Sequence, residues 1–180
     1  VPLTTDALVK LKEFLKVYGF NGDVDKVVDL AGKMEVFAQE SIEASKAASA
    51  EIEVEGLGGT LRPFQKAGVK YATEKKRVLI GDQPGLGKTM EALATVQALN
   101  AYPALVVVPA TLKWNWYNHT RNWLPSKTIQ VLGTETAGRA DANLVIINYD
   151  QLKRYRGYLV QRDFKAVVCD ESHLLKSAKA

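Results

Sequence analysis

Between Val78 and Leu99 an aliphatic run, a glycine-rich turn and a helical pattern follow one another without a gap, and few folds accommodate that order. Val78-Leu79-Ile80 reads as a buried strand closing at Gly81. Gly85-Leu86-Gly87-Lys88-Thr89 turns the chain, and Thr89–Leu99 then presents Leu93, Val96 and Leu99 at helical spacing. A strand leading through glycines into a helix is the local frame of a phosphate-binding loop. Gly85 and Gly87 let the backbone close around an anion where a Cβ would obstruct it. The free N–H groups and positive dipole end of the new helix face that anion. Lys88 then reaches the β- and γ-phosphates, and the Thr89 hydroxyl sits on Mg²⁺. Asp82 occupies the first glycine position of the strict G-x-x-x-x-G-K-[ST] pattern, so the assignment rests on the strand–turn–helix setting. The competing reading is an ordinary glycine-rich turn with a solvated lysine.

The rest of the chain is consistent with such a loop. With 180 residues, 47% of them apolar, it can bury one sizeable core and carry a small appendage. A formal net charge of +4 is compatible with a polyanionic partner without demanding one. The single cysteine, Cys169, excludes an intramolecular disulfide and fits a reducing compartment. No apolar run reaches membrane-spanning length and no signal-peptide layout opens the chain, so an intracellular setting is expected, cytoplasmic or, in a eukaryote, nuclear. Two helices are expected near the N-terminus, at residues 5–18 and 23–50, the second capped by Asp23. Glu51–Gly56 alternates polar and apolar residues as an edge strand does, and Gly56, Gly58 and Gly59 form a break. This divides the chain into a helical appendage (1–55), read as packing ahead of the alternative that it positions a partner or nucleic acid, and a main domain (56–180). In the latter a helix is expected at Pro63–Glu74 and strands at Val78–Gly81, Ala104–Val108, Thr128–Val131, Leu144–Ile147 and Ala166–Cys169. Gly133–Ala142 reads as a mobile loop. Near-continuous apolar strands alternating with helices predict an α/β fold with a mostly parallel sheet covered on both faces.

A second anchor lies near the C-terminus. Phe164-Lys-Ala-Val-Val-Cys-Asp-Glu-Ser-His173 reads as a buried strand delivering Asp170 and Glu171 at its carboxyl end, the rim at which doubly wound sheets bind ligands. An aspartate there can hold Mg²⁺, and an adjacent glutamate can orient or deprotonate an attacking water. Cys169 reads as a small core residue.

Together these stretches resemble the first RecA-like lobe of a superfamily-2 helicase, in the branch of the Swi/Snf-type DNA-dependent ATPases and their annealing-helicase relatives. The likeness runs from Leu61 to the C-terminus. Leu61-Arg-Pro-Phe-Gln65 is similar to the family's adenine-recognising motif, which makes Gln65 the base reader. Asp82-Gln-Pro-Gly-Leu-Gly-Lys-Thr89 resembles its motif I, aspartate included, with Gln83-Pro84 replacing the usual acidic-methionine pair. The implied nucleotide-binding set is Gln65, Asp82, Gly85, Leu86, Gly87, Lys88, Thr89 and Met90. Val107-Val-Pro-Ala-Thr-Leu-Lys-Trp-Asn-Trp116 resembles motif Ia and Leu144–Asp150 motif Ib, which puts Pro109, Thr111, Lys113 and Asn148 beside nucleic acid. Asn148 stands where the family usually has Ser or Thr. Trp116 and Trp123 follow motif Ia and are expected to pack against the sheet rather than stack on bases. His119 stands where the family often has an acid. Asp170-Glu-Ser-His173 resembles the motif II box, with His173 coupling the nucleotide site to the nucleic-acid side, and Leu175-Lys-Ser177 resembles the tripeptide that follows it.

The resemblance implies ATP and Mg²⁺ as cofactors, held by Thr89 and Asp170, with Lys88, Asp170 and Glu171 catalytic. It also implies DNA, double-stranded or branched, as partner. The basic residues Lys153, Arg154, Arg156 and Arg162 read as a solvated face that could also meet phosphates. Motif III and the second RecA-like lobe, whose arginine stabilises the transferring phosphoryl group, lie outside these 180 residues. The chain is therefore expected to be the nucleotide-binding half of a motor, inactive or very slow alone. The alternatives are a nucleotide- or partner-binding regulatory module without turnover, and a small kinase or GTPase, against which Gln65 and Asp170–His173 argue.

Overall fold

The computed structural model describes residues 9–10, 12–13, 23, 25–33, 36, 46–133, 137–138 and 141–176. The chain forms two compact units, Val1–Ala47 and Ala48–Ala180. In the first, residues 25–33 are helical. Asp23 caps them, its Oδ1 accepting the Lys26 N–H at 3.0 Å, and Asp29 pairs with Lys33 one turn on. Most of the helix expected at 5–18 lies outside the described residues. Residues 46–50 carry a turn and a bend and no helix, so the second helix does not reach Ala50.

The second unit is an α/β fold. Helix α1 (Pro63–Lys75) starts on a proline, whose missing N–H costs nothing in the first turn, and ends where Lys76 enters the left-handed region at φ 60°. Helix α2 (Lys88–Ala98) follows the glycine turn. Strand β1 (Ala104–Val108), helix α3 (Lys113–Trp123), strand β2 (Ile129–Val131), the two-residue strand β3 (Ala137–Gly138), strand β4 (Leu144–Asn148), helix α4 (Arg156–Gln161) and strand β5 (Ala166–Cys169) complete it. The sheet order is β3-β2-β4-β1-β5, with β2, β4, β1 and β5 parallel and β3 antiparallel to β2. Part of the expected 133–142 loop is thus a short edge strand.

The apolar runs of β1 and β4 follow from burial on both faces. Ala104, Val106, Val108, Leu144 and Ile146 join Leu93 and Val96 of α2 and Trp116 of α3 on one side. Leu105, Val107, Val145 and Ile147 meet Tyr149, Tyr155, Tyr158 and Phe164 on the other. A smaller cluster of Leu61, Val69 and Ala94 is covered by Ile52 and Val54. That packing accounts for the alternation at 51–56, which forms no strand: the apolar side chains are held while the glutamates between them are exposed.

A second expectation fails in an instructive way. Residues 78–81 form no strand and pair with none of the strands of the sheet, Leu79 is 80% exposed, and β5 is an edge strand. Among the described residues no strand lies between the two, so the apolar pattern is present without the neighbour that would turn it into a ladder. Among the described residues no helix is long and apolar enough to cross a membrane.

Candidate nucleotide-binding site

The glycine turn takes the conformation its sequence requires. Gly85 and Gly87 have φ of 86° and 90°, a region costly for any side chain. At Gly85 an added Cβ would meet nothing within 4 Å, whereas at Gly87 it would come within 2.5 Å of Gln65 Nε2. Gly87 therefore serves both turn and close approach. Its carbonyl accepts the N–H groups of Met90 and Glu91, which starts α2 and leaves the earlier N–H groups of the first turn directed at the loop. Lys88 folds back over the turn, its Nζ donating to the carbonyls of Asp82 (2.8 Å) and Gln83 (3.3 Å). Leu86 and Met90 are half-buried beside it.

Gln65 is 6% exposed and makes one hydrogen bond from each end of its amide. Its Oε1 accepts the Arg62 N–H at 2.9 Å, capping α1, and its Nε2 donates to the Leu86 carbonyl at 2.9 Å. The glutamine expected to read a base also fixes the loop's backbone.

The acid pair stands at the end of β5. The Asp170 N–H donates to the Val107 carbonyl at 2.9 Å, continuing the sheet. Its Oδ2 accepts the Trp116 indole N–H at 2.8 Å, its Oδ1 the Glu171 N–H at 3.0 Å, and its carbonyl the Tyr149 hydroxyl at 2.7 Å. Burial, then the charges of Cys169 and Asp170, push the Tyr149 phenol up to about 12, so it stays a donor. Burial pushes the Cys169 thiol up, which suits an unreactive residue. Glu171 is exposed at φ 50°, its carboxylate 3.3 Å from His173 Nδ1.

The loop and the acids open onto one cleft of about 890 Å³, lined among others by Asp82, Lys88, Thr89, Trp116, Asp170 and Glu171. The unpaired 78–80 segment and the free edge of β5 also line it, together with residues of α1 and α2. The size suits a small-molecule ligand. Among the described residues no cluster of three or more His, Cys, Asp or Glu could hold a metal ion. The Thr89 hydroxyl and the Asp170 carboxylate, with the Asp82 and Glu171 carboxylates in the same cleft, fit instead a hard cation that takes most of its ligands from phosphate oxygens and water, as Mg²⁺ does.

Sequence reasoning missed Glu91. It is 1% exposed in the first turn of α2, and neither carboxyl oxygen makes a regular hydrogen bond. Helix α1 approaches so closely that a Cβ on Gly68 would lie 2.8 Å from Glu91 Oε2. Burial, then the Asp82 carboxylate, raise its pKa to about 8, with Lys88 pulling the other way. No pattern announces this, because a glutamate in a first turn ordinarily serves the helix dipole from the surface.

The residues expected to face nucleic acid divide. Thr111 is exposed and Pro109 half-buried at the end of β1. Lys113 and Asn148 are buried, Lys113 Nζ donating to the Leu132 carbonyl (3.3 Å) and Asn148 Nδ2 to Asp150 Oδ2 (3.3 Å). Trp116 is 4% exposed in the core and Trp123 packs against it. His119 is half-buried on α3. Lys153, Arg154 and Arg156 are exposed, but Arg162 lies against Tyr158 and Phe164 and donates to the Tyr158 hydroxyl and the Ala142 carbonyl.

Comparison with known proteins points the same way. A family model described as SNF2-related domain matches residues 64–180. The chain is 37% identical over 165 residues to the Drosophila melanogaster SWI/SNF-related matrix-associated actin-dependent regulator of chromatin subfamily A-like protein 1, covering 89% of this chain and 21% of that protein. It is 33% identical over 135 residues to the Homo sapiens DNA annealing helicase and endonuclease ZRANB3, covering 69% and 13%. The Sulfolobus solfataricus SWI2/SNF2 ATPase core in complex with dsDNA superposes with a TM-score of 0.62 at 23% identity, over 72% of this chain and 30% of that one, a likeness of fold.

Proposed function

The chain belongs to the SNF2-related domain family, and from that premise we propose that it is the nucleotide-binding half of an ATP-dependent DNA translocase or helicase, working inside the cell. The observation that carries the proposal is the single cleft onto which Lys88, Thr89, Asp170 and Glu171 all open. In this reading Lys88 exchanges the carbonyls of Asp82 and Gln83 for β- and γ-phosphate oxygens. Gln65 contacts adenine while holding Leu86, which links base recognition to the shape of the loop. Thr89 and Asp170 hold Mg²⁺, which supplies charge neutralisation on the phosphates when bound. Glu171 orients the attacking water and takes its proton, and His173, beside it, carries the state of the site toward the nucleic-acid side.

Double-stranded or branched DNA lies along the carboxyl ends of β1 and β4 in this proposal, with Pro109 and Thr111 at the rim and Lys113 and Asn148 supporting it from beneath. The exposed Lys153, Arg154 and Arg156 neutralise phosphates. A second RecA-like lobe completes the site and supplies the arginine for the transition state. The chain spans only 21% and 13% of the two relatives, which leaves ample length for such a lobe in proteins of that kind.

The test is ATP hydrolysis by the longest natural form, with and without duplex and branched DNA. DNA should stimulate turnover, and Glu171→Gln should abolish it while leaving nucleotide binding in place. Absence of stimulation together with undiminished turnover in Glu171→Gln would overturn the proposal.

A further inference from the structure

We propose that Trp116 is a positioning residue for the Asp170 carboxylate, with Tyr149 as its counterpart on the backbone, and that together they hold this acid in the orientation that receives the cation of a bound nucleotide. The inference rests on the nucleotide reading given above. An indole N–H is a donor only, and buried it must find an acceptor. Trp116 is 4% exposed, and the acceptor it reaches is Asp170 Oδ2, 54 residues away in the chain, at 2.8 Å. The other oxygen, Oδ1, takes the Glu171 N–H, so the carboxylate's two oxygens are distinguished and its rotation is stopped. Tyr149 closes the third side by donating to the Asp170 carbonyl.

The origin of the two donors matters as much as their geometry. Trp116 lies in the first turn of α3, directly after the turn carrying Pro109 and Thr111, and Tyr149 follows Asn148 at the end of β4. Both segments expected along nucleic acid therefore reach one residue just past the end of a third strand, Trp116 its carboxylate and Tyr149 its backbone carbonyl. Neither residue needs to touch nucleotide to matter. A carboxylate that ligates a cation through one oxygen, or through water, binds in proportion to how well its partners hold it, and loss of such a partner costs roughly 10–100-fold in metal affinity.

Trp116→Phe removes the N–H and keeps most of the ring, and Tyr149→Phe removes only the hydroxyl. Titration calorimetry of the full 180-residue chain with ADP, in EDTA and again in Mg²⁺, separates the effects. The wild-type chain should bind more tightly with Mg²⁺. Trp116→Phe should lose about 10-fold of that Mg²⁺-dependent affinity with the EDTA value unchanged, and Tyr149→Phe a smaller factor in the same sense. A merely structural role would lower both values together, and that result overturns the assignment, as does an unchanged Mg²⁺ increment in Trp116→Phe. No Mg²⁺ increment in the wild-type chain would instead sink the nucleotide reading itself, and this inference with it. Should Trp116→Phe not fold, Tyr149→Phe decides by the same comparison.

Discussion

Replacing Glu91 by glutamine should stabilise the chain by an amount that grows with pH. The carboxyl is 1% exposed, packed under Gly68 and beside Asp82, and its pKa is about 8 against 4.5 for a free glutamate. Between those two values the folded chain keeps a proton that the unfolded chain has released. The unfolded state then binds fewer protons, so stability falls as pH rises through this window. Below about 4.5 both states are protonated and the penalty vanishes; above about 8 it is complete. Each pH unit inside the window is worth up to about 1.4 kcal/mol. The span from 4.5 to 8 sets a ceiling of roughly 5 kcal/mol, and exposed Asp82 on the loop side lets water soften it.

Glutamine keeps the volume and cannot ionise. Its advantage over glutamate should therefore increase by about 2–3 kcal/mol between pH 5.5 and pH 7.5. Urea unfolding of both chains in EDTA at those pH values, followed by far-ultraviolet circular dichroism, measures it. A difference that stays constant with pH would show that the carboxyl is hydrated or paired, and the burial argument would fall.

Other substitutions test separate parts of the structure. Gly87→Ala places a Cβ at φ 90° and 2.5 Å from Gln65 Nε2; it should cost about 1–3 kcal/mol in a thermal melt and abolish nucleotide binding measured by calorimetry. Ile146→Ala, at a position with no exposure in the middle of β4, should cost about 2–5 kcal/mol in urea unfolding. Arg162→Ala should destabilise the fold, because its guanidinium holds Tyr158 and the Ala142 carbonyl. Lys153→Ala should leave the melt unchanged and lower the salt-dependence slope of DNA binding by about 1.

Some expectations needed only local pattern. The phosphate-type turn was legible because Gly85 and Gly87, set between an aliphatic run and a helical pattern, permit the positive φ that such a turn needs, and α2 because its apolar spacing is helical. The near-continuous aliphatic runs of β1 and β4 announced strands covered twice, since a strand with one wet face would alternate. Val78–Gly81 carries the same signal and forms no strand. A ladder needs a partner backbone, and residue type cannot supply one. The hydrophobic pattern thus reports the burial a segment is suited to, and its neighbours decide whether it receives it.

The order and chemistry of the chain settle that it is an α/β lobe with a glycine loop before one helix and an acid pair after one strand, because these follow from φ preference and from periodicities of 3.6 and 2. Tertiary packing alone determines that Gln65 holds Leu86, that Lys113 and Asn148 turn inward, that Glu91 loses its water, and that Trp116 and Tyr149 close on Asp170. Those outcomes depend on which side chains arrive from 21 residues away, as for Gln65 and Leu86, or from 54, as for Trp116 and Asp170. Desolvation and hydrogen bonding act on whatever is adjacent in space, and that adjacency exists only once the sheet has assembled.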